Sequence, residues 1–351
     1  MEKTVSVGVV FRSNFNHLHH DGKGTTIYLF PILMHLKMSG FIKKIIFFAI
    51  AFFVFDKIFY AFLFISPHLE SDKRLEKLVN GEINKEIIIL GSSRGARNII
   101  AKQIEDSLHL SSFNLSYPGS DIAFQEFLLQ TLLANNKKPK AIILTLDDPI
   151  QLMPNDFINF RFDRLYPLAK YESINNEMIK RREKNFLSRF LILSRINQVN
   201  FNITEKKYSI WDSIRSNGSM PISFQSKDAA FNYDNAAQTY NKDNESLAKI
   251  KSFTNFQRLC LDNSIALHLI FPPNYKSHNR QFENRIRQLT HSEVSLFVHD
   301  TLNDVYHDKS YFFDERHLLV NGAVVFTNEL IDMLKAKEHE SAITVLGHSV
   351  Q

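Results

Sequence analysis

The stretch KEIIILGSSRGARNII, residues 85–100, determines which fold to expect. Its apolar run ends in the turn GSSRG, residues 91–95, and a helix-like segment follows. An uninterrupted apolar run is typical of a strand that helices cover on both faces of a parallel sheet. Because ligands bind outside the carboxyl ends of such strands, this turn is the first candidate for a functional site.

Strand-like and helix-like segments alternate along most of the chain. Apolar runs typical of strands occupy residues 86–91, 112–115, 140–146, 264–271 and 294–298. Segments with helical periodicity occupy about residues 96–108, 121–135, 243–262, 279–290 and 318–336. This order predicts a three-layer α/β sandwich around a parallel, flavodoxin-like sheet of five strands.

The domain organisation follows from where this alternation stops. We expect the α/β domain to comprise residues 85–148 and 241–337. Residues 149–240 lack the alternation and are expected to form an insertion or a cap beside the site. A charged linker is expected over residues 67–84 and a tail over residues 338–351.

A second apolar stretch lies near the amino end. The sequence IIFFAIAFFVFDKIFYAFLFI, residues 45–65, has the length of a helix that crosses a bilayer core, ~20 residues. Only Asp56 and Lys57 are charged, and the many Ile, Phe, Leu and Val side chains outweigh their insertion cost. We therefore predict an uncleaved signal anchor over residues 38–66, held in a lipid bilayer. A cleaved signal peptide and a buried core helix are the alternatives.

The flanking charges predict the topology of this anchor. Lys43 and Lys44 precede the apolar run, and the positive-inside rule places basic flanks in the cytoplasm. The rest of the chain is then expected to be extracytoplasmic, in the periplasm or at the cell surface.

Residues 1–37 do not resemble a membrane-targeting segment, whereas the sequence from Met38 does. We therefore regard residues 1–37 as a doubtful leader and expect translation to begin at Met38.

Composition and charge narrow the function classes. The 351 residues are 44% hydrophobic, which is enough for one large domain or two ordinary ones. The net charge of +5 comes from intermixed Lys, Arg, Asp and Glu without a basic stripe, so we expect no nucleic-acid partner. The single cysteine, Cys260, excludes an internal disulfide and most zinc-site patterns. We expect neither a metal nor an organic cofactor.

Three interpretations of the turn at residues 91–95 stay open. It resembles the glycine-rich turn of short-chain dehydrogenases, and Tyr166 and Lys170 have the Tyr-x-x-x-Lys spacing of those enzymes. Arg97, however, stands where a dinucleotide-binding turn has its third glycine. In the second interpretation Ser93 is a catalytic nucleophile. In the third, the turn only starts a helix, with Ser93 near its N-cap.

A serine nucleophile requires a base and an acid that orients the base. In the segment SYFFDERHLLVNGAVVF, Asp314 and His317 lie three residues apart just before a helix-like run, so one short turn can present both. The chain order is then Ser93, Asp314, His317. Chymotrypsin-like and subtilisin-like enzymes have other orders.

Three segments resemble blocks of the SGNH or GDSL-like hydrolases. ILGSSR matches the block around the nucleophile, FNLSYPGSD the block with an oxyanion glycine, and DERHLLVNGAVVF the Asp-x-x-His block. The resemblance implies that Ser93 is the nucleophile, His317 the base and Asp314 the orienting acid. It also implies an oxyanion hole formed by the backbone N–H groups of Ser93 and Gly119.

The remaining block departs from the family pattern. Where the family has Gly-x-Asn-Asp, the segment LTLDDPIQL has Asp147 and Asp148. An ionised carboxylate cannot donate the hydrogen bond that the family asparagine gives to the oxyanion, and Asn155 lies too far downstream to be a clear replacement. Loss of one donor lowers rates about 100- to 1,000-fold, so we expect low activity or a specialised acceptor. Arg94, Asp147, Asp148 and Asn155 are candidate substrate contacts.

The resemblance and the anchor together imply a function at the cell envelope. The layout is similar to that of DltD-like and alginate-acetylation proteins. It implies a membrane-anchored, extracytoplasmic serine esterase or O-acyltransferase that acts on acyl esters of a cell-envelope or exported polysaccharide. The expected partners are an acylated glycan or another envelope polymer, with a membrane-bound acyltransferase as a further candidate. The alternative is a non-catalytic binding platform of the same fold, which the missing asparagine favours and the retained Ser93, Asp314 and His317 oppose.

Overall fold

The computed structural model describes residues 40–207, 212–225 and 230–348, with side chains described as far as residue 337. The predicted leader and the predicted start at Met38 lie outside the described residues. The chain divides into two compact units, Met1–Phe53 and Val54–Gln351. The sheet and the candidate site both belong to the second unit.

The centre of the second unit is a five-stranded sheet in which neighbouring strands are parallel. The strands are β1 (Ile87–Leu90), β2 (Ser112–Asn114), β3 (Ala141–Thr145), β4 (Ala266–Phe271) and β5 (Ser295–Val298). Their order across the sheet is β2-β1-β3-β4-β5. The predicted α/β class and the parallel sheet of five strands are confirmed, and the strand order is that of flavodoxin-like sheets.

Helices occupy the segments where helical periodicity predicts them. The described α-helices are α1 (Gly40–Ile58), α2 (Tyr60–Leu69), α3 (Arg74–Val79), α4 (Ser93–Asn98), α5 (Ala101–Leu108), α6 (Ile122–Asn135), α7 (Phe162–Leu165), α8 (Glu172–Lys180), α9 (Ile192–Arg195), α10 (Leu247–Asp262), α11 (Arg280–Leu289) and α12 (Val320–His348). Short 3-10 helices occupy Tyr166–Leu168, Phe186–Arg189, Gln198–Phe201, Lys242–Asn244, Asp304–His307 and Lys309–Tyr311. The last helix continues beyond residue 336 through most of the segment predicted as a tail.

Two hydrophobic clusters explain why the strand sequences are continuously apolar. Ile88 and Leu90 of β1 belong to one cluster, together with residues of α6, α10 and α11. Ile87 and Ile89 belong to a second cluster, together with residues of α5 and α12. Full burial of an Ile or Leu side chain stabilises the fold by about 1.5–3 kcal/mol relative to exposure. Both sets of alternate strand residues therefore contribute to the core.

The helix predicted over residues 96–108 is divided into α4 and α5. The two isoleucines between these helices are extended, and the N–H of Ile100 donates to Thr327 Oγ1 at 3.1 Å. The N–H of Ala101 donates to Ser219 Oγ at 2.9 Å. Side chains from distant segments thus satisfy donors at the start of α5, which allows the chain to turn there.

The segment predicted as a linker, residues 67–84, is packed into the second unit. It contains α3, and three of its apolar side chains are buried: Leu75, Leu78 and Ile83. The buried guanidinium of Arg74 donates to the carbonyl of Ser116 at 2.9 Å and pairs with Asp72 at 2.8 Å. These partners offset the burial of its charge. The segment is therefore part of the folded core.

The segment Gly40–Leu69 is long and apolar enough to cross a membrane, judged by length and composition alone. Its charged position Asp56, expected to lie within the span, is instead fully buried in the second unit. The carboxylate accepts the backbone N–H of Ile192 at 2.8 Å and that of Leu193 at 2.7 Å, at the start of α9. The carboxyl half of the predicted span 45–65 is therefore partly packed against protein, which the apolar pattern alone did not indicate.

The described parts of residues 149–240 consist of loops and short helices. Two contacts place this segment beside the turn after β1. The N–H of Met220 donates to the carbonyl of Ala96 at 2.7 Å, and Asp212 pairs with Arg97 at 3.3 Å. The segment thus packs on α4, next to the residues in which the sequence places the site.

Candidate active site

The turn after β1 places Ser93 at the carboxyl edge of the sheet. Gly91 has φ +155°, and a Cβ there would lie 1.8 Å from Thr145 Oγ1 of β3, so the turn requires glycine. Ser92 is the N-cap of α4, and its Oγ accepts the N–H of Arg94 at 3.4 Å. The capping role considered for Ser93 therefore belongs to Ser92. Ser93 is the first residue of the helix, and its hydroxyl has a different partner.

Ser93, His317 and Asp314 form one continuous chain of hydrogen bonds. Ser93 Oγ lies 2.8 Å from His317 Nε2, and His317 Nδ1 lies 2.8 Å from Asp314 Oδ2 and 2.9 Å from Oδ1. Because the carboxylate accepts at Nδ1, the neutral imidazole carries its proton there, and Nε2 accepts the Ser93 hydroxyl. This arrangement meets the geometric requirement for a nucleophile, a general base and an orienting acid.

The loop before α12 holds the base and the acid in place. Asp314 Oδ1 also accepts the backbone N–H of Arg316 at 2.8 Å and that of His317 at 2.9 Å. The N–H of Leu318 donates to Asn98 Oδ1 at 3.0 Å, which ties the loop to the end of α4. Burial opposes ionisation of Asp314, but the hydrogen bonds and charge of His317 and the two backbone donors hold the pKa of Asp314 below its usual range. The carboxylate therefore stays ionised beside the imidazole.

The backbone N–H groups of Ser93 and Gly119 are the predicted donors of an oxyanion hole. Within the described part of the chain, neither group donates to a protein acceptor. Gly119 has φ +74°, and the N–H of Asn159 donates to its carbonyl at 3.0 Å, which fixes the turn. Preorganised donors beside a nucleophile can stabilise the negative oxygen of a tetrahedral intermediate.

A cavity of about 310 Å³ opens onto these groups. Its lining residues are Ser93, Arg94, Gly119, Asp147, Ile150, Phe157, Ile158, Arg316 and His317. The structure therefore brings together the predicted nucleophile, base and oxyanion glycine with two of the four candidate substrate contacts. Asp314 lies behind His317 and is not among the lining residues.

Four lining residues were not predicted from the sequence: Ile150, Phe157, Ile158 and Arg316. The first three follow β3 in a loop without periodicity, and their only signal in the sequence is that they come after the carboxyl end of a strand. Arg316 lies between the acid and the base, so its backbone position follows from the Asp-x-x-His spacing. The spacing does not predict the direction of the Arg316 side chain.

Asp147 occupies the position at which the family pattern has asparagine. Its Oδ1 accepts the hydroxyl of Ser92 at 2.7 Å, and its N–H donates to Gln151 Oε1 at 3.0 Å. Among the described residues, Oδ2 has no hydrogen-bond partner, although it is buried. Burial raises the pKa of Asp147, and the nearby charge of Arg94 and the hydrogen bond from Ser92 only partly oppose this effect. The protonated form of Asp147 is therefore favoured relative to an exposed aspartate.

Arg94 has a structural role besides lining the cavity. Its buried guanidinium donates to the carbonyls of Leu146 at 3.2 Å and Pro273 at 3.3 Å, and also to that of Pro272. These carbonyls follow the carboxyl ends of β3 and β4, so Arg94 joins the two strand ends beneath the site. Burial lowers the pKa of Arg94, whereas the charges of Asp147 and Asp148 raise it.

Two candidate substrate contacts do not line the cavity. Asp148 is buried and faces Lys276, with Oδ2 lying 4.0 Å from Nζ. Asn155 Oδ1 accepts the N–H of Phe157 at 2.7 Å, which forms a local turn. Asn155 is therefore not placed to replace the missing oxyanion donor.

The Tyr-x-x-x-Lys interpretation does not fit the structure. Tyr166 donates its hydroxyl proton to Glu183, while Lys170 Nζ lies 3.5 Å from Glu76. Burial and Glu183 raise the pKa of Tyr166 to about 12. The dehydrogenase spacing requires a lysine that lowers the tyrosine pKa, so this pair lacks the electrostatics of that chemistry.

A larger cavity of about 680 Å³ lies at the ends of β4 and β5, and its lining includes Tyr233, His278 and His299. None of the predicted catalytic residues lines it. Burial lowers the pKa of His299 to about 3, which opposes a role as an acid–base group near neutral pH.

In the ranges that the structure describes, no group of three or more His, Cys, Asp or Glu side chains is arranged to hold a metal ion.

Comparison with known proteins gives no assignment for this arrangement. The sequence matches no family model, and it matches no curated protein at a significant level. The resemblance to the SGNH or GDSL-like hydrolases therefore stays a prediction, based on the three sequence blocks.

Proposed function

We propose that the protein is a serine esterase or O-acyltransferase in which Ser93 carries the acyl group. The observation that carries this proposal is the 2.8 Å contact between Ser93 Oγ and His317 Nε2, with Asp314 hydrogen-bonded to the other imidazole nitrogen. A serine that only caps a helix, or a histidine that is only exposed, does not require this hydrogen bond. The same cavity is lined by Ser93 and Gly119, whose backbone N–H groups donate to no acceptor among the described residues, and this combination supports a catalytic role.

In the first half of the proposed reaction, Ser93 Oγ attacks the carbonyl carbon of an ester. Its proton passes to His317 Nε2, and Asp314 stabilises the resulting imidazolium. The carbonyl oxygen becomes an oxyanion that the N–H groups of Ser93 and Gly119 bind. When the intermediate collapses, the ester C–O bond breaks and His317 returns the proton to the leaving alcohol, which leaves an acyl ester on Ser93.

The second half transfers the acyl group from Ser93 to an acceptor hydroxyl. His317 removes the proton of the acceptor as its oxygen attacks the acyl carbon, and then protonates Ser93 Oγ as the acyl ester breaks. Water as acceptor gives a hydrolase, whereas a sugar or polyol hydroxyl gives a transferase. The apolar Ile150, Phe157 and Ile158 provide a surface for an acyl group, and Arg316 provides a polar side.

Asp147 is the third group that we assign to the oxyanion. It lines the cavity at the position of the family asparagine, and its Oδ2 is without a partner among the described residues. A protonated carboxyl donates a hydrogen bond, whereas a carboxylate cannot. The raised pKa of Asp147, caused by burial, favours the donating form.

The proposal also covers the fold family, the membrane topology and the substrate class. The two hydrophobic clusters, each with its own set of helices, support a three-layer sandwich of the SGNH or GDSL-like class. The apolar segment Gly40–Leu69 and the preceding lysines support a membrane anchor with the catalytic domain outside the cytoplasm. We propose acyl esters of an envelope or exported polysaccharide as the substrate class, with a membrane-bound acyltransferase as a candidate partner.

Hydrolysis of p-nitrophenyl acetate by the full chain in detergent tests this proposal. We expect either turnover or a burst of one p-nitrophenol per protein. In Ser93→Ala we expect the acylation rate to fall about 10,000-fold or more. Ser310→Ala is the matched control, because this serine is exposed and its hydrogen bonds are with Asp308 and Asn321 rather than with Asp314 or His317. A folded protein that reacts no faster than Ser93→Ala would contradict the proposal.

A further inference from the structure

Five exposed apolar side chains lie close together in sequence within residues 186–203. They are Phe186, Leu187, Phe190, Phe201 and Ile203, and we call them the apolar patch. Each is between 48% and 68% exposed, and three of them are aromatic. Solvent-exposed phenylalanines at this density indicate a surface that contacts something apolar.

The patch is attached to the end of α1 by polar contacts. Lys57 Nζ donates to the carbonyl of Phe190 at 2.7 Å, and Asp56 accepts the N–H groups of Ile192 and Leu193. Because the Asp56 carboxylate is fully buried and hydrogen-bonded, these contacts hold the segment firmly. The patch therefore has a defined position on the helix.

Apolar contacts extend this attachment along α2. The ring of Phe201 lies 5.2 Å from that of Phe62, and Asn200 Nδ2 donates to Ser66 Oγ at 3.1 Å. The neighbouring helix residues Val54, Phe55 and Ile58 are themselves apolar and more than half exposed, at 60%, 52% and 63%. The patch thus continues an exposed apolar surface on the segment that is long enough to cross a membrane.

The charges next to the patch are mostly basic. Between residues 180 and 195 the sequence has six basic side chains and one acidic side chain. The Arg189 guanidinium lies 5.2 Å from the centre of the Phe186 ring. Exposed aromatic and apolar side chains beside basic ones are the composition of segments that lie at the surface of an anionic membrane.

We propose that the apolar patch inserts into the boundary between headgroups and acyl chains of a bilayer that contains anionic lipid. The segment 186–203 then gives the second unit a membrane contact of its own, beside the apolar helix. The occupant is lipid, because the patch adjoins a segment with the length and composition of a membrane span and is flanked by basic side chains. This inference does not depend on the proposed chemistry at Ser93.

Site-specific fluorescence in vesicles tests the proposal. The full chain would be reconstituted in vesicles of phosphatidylcholine and phosphatidylglycerol without other proteins. An environment-sensitive dye would be attached to Leu187→Cys, or in a second variant to Phe190→Cys. Cys260 is fully buried and can be left in place. Leu302→Cys is the matched control, because Leu302 is an 86% exposed leucine of the same unit, and Phe47→Cys reports insertion of the helix.

The outcomes separate lipid contact from other accounts of the patch. We expect a nitroxide quencher on the lipid chain to quench the labels at 187 and 190 at least about twofold more than the label at 302, and aqueous iodide to show the reverse order. Labels at 187 and 190 that respond like the one at 302, while the label at 47 is quenched by lipid, would overturn the proposal. That result would show that the patch stays in water while the helix is inserted, so lipid is not what covers it.

Discussion

Ser92 Oγ donates a hydrogen bond to Asp147 Oδ1 at 2.7 Å, and both side chains are buried. This contact joins the residue before the proposed nucleophile to the carboxyl group that stands where the family pattern has asparagine. It engages one oxygen of Asp147 and leaves Oδ2 without a partner among the described residues. In the proposed mechanism, Asp147 can therefore donate to the oxyanion only in its protonated form.

Replacement of Asp147 tests the role of its proton. Ser92, Arg94, His317 and Arg316 lower the pKa of this carboxyl, and its charge also acts on Lys249. Because burial raises the pKa of Asp147, its donating form is present at low pH and is lost as the pH rises through that pKa. We expect kcat/KM of the natural protein to decline as the pH rises through the pKa of Asp147, and Asp147→Asn to remove that decline, since an amide donates at every pH.

The matched variants for this prediction are Asp147→Leu and Asp148→Asn. The leucine cannot donate, so we expect kcat/KM to fall about 100- to 1,000-fold. Asp148 is equally buried but does not line the cavity, so Asp148→Asn should keep the pH profile of the natural protein. An Asp147→Asn profile that still declines like that of the natural protein would exclude Asp147 as the titrating donor.

Replacement of Asp314 tests the orientation of the base. In Asp314→Asn the amide nitrogen can donate to His317 Nδ1, which stabilises the tautomer with its proton on Nε2 and prevents it from accepting the Ser93 proton. We expect kcat to fall about 10,000-fold with little change in KM. Asp308→Asn is a suitable control, because Asp308 caps a nearby 3-10 helix and does not contact His317. Steady-state kinetics that show a loss confined to KM would assign Asp314 to substrate binding instead.

Replacement of Asp56 tests the attachment of α1 to residues 186–203. In Asp56→Ala the N–H groups of Ile192 and Leu193 lose their acceptor, and Lys57 loses its carboxylate partner at 2.9 Å. We expect the free energy of unfolding to fall by about 1–3 kcal/mol, the cost of leaving buried donors unsatisfied. Thermal unfolding of the full chain in detergent measures the change.

Asp106→Ala provides the control for that measurement. Asp106 also pairs with a lysine, Lys102, but both side chains are more than half exposed. Exposed ion pairs contribute about 0–1 kcal/mol, so this variant should unfold close to the natural temperature. If Asp56→Ala unfolds no earlier than Asp106→Ala, the contact with Ile192 and Leu193 does not stabilise the protein.

Much of the fold follows from local pattern in the sequence. The run before Gly91 predicts a strand over 86–91, and β1 spans Ile87–Leu90. The alternation of apolar runs and helical segments also predicts the other strands, because β2, β3 and β4 are buried along most of their length and β5 is partly buried. The sequence also predicts that Ser93, Gly119 and the Asp-x-x-His pair come together, because each lies at the carboxyl edge of the sheet or in the loop before the last helix.

Features that depend on distant partners could not be predicted in this way. The break at Ile100 depends on Thr327, which is far away in sequence. The buried positions of Arg74 and Asp56 depend on backbone groups of other segments. From the sequence alone, Arg74 is therefore expected in a charged linker, and Asp56 is a charge that an apolar span has to accommodate. Arg316 faces the cavity because of its loop conformation, and no spacing rule determines the direction of such a side chain.

The most direct test of the central claim is mass spectrometry of the full chain after treatment with a fluorophosphonate. The fluorophosphonate reacts with an activated serine, which displaces fluoride and forms a phosphonyl ester. We predict one adduct, located on Ser93, that is absent from Ser93→Ala and His317→Ala but present in His291→Ala, which changes an exposed histidine outside the site. No adduct on Ser93 in a folded protein, or an adduct that persists in His317→Ala, would contradict activation of Ser93 by His317.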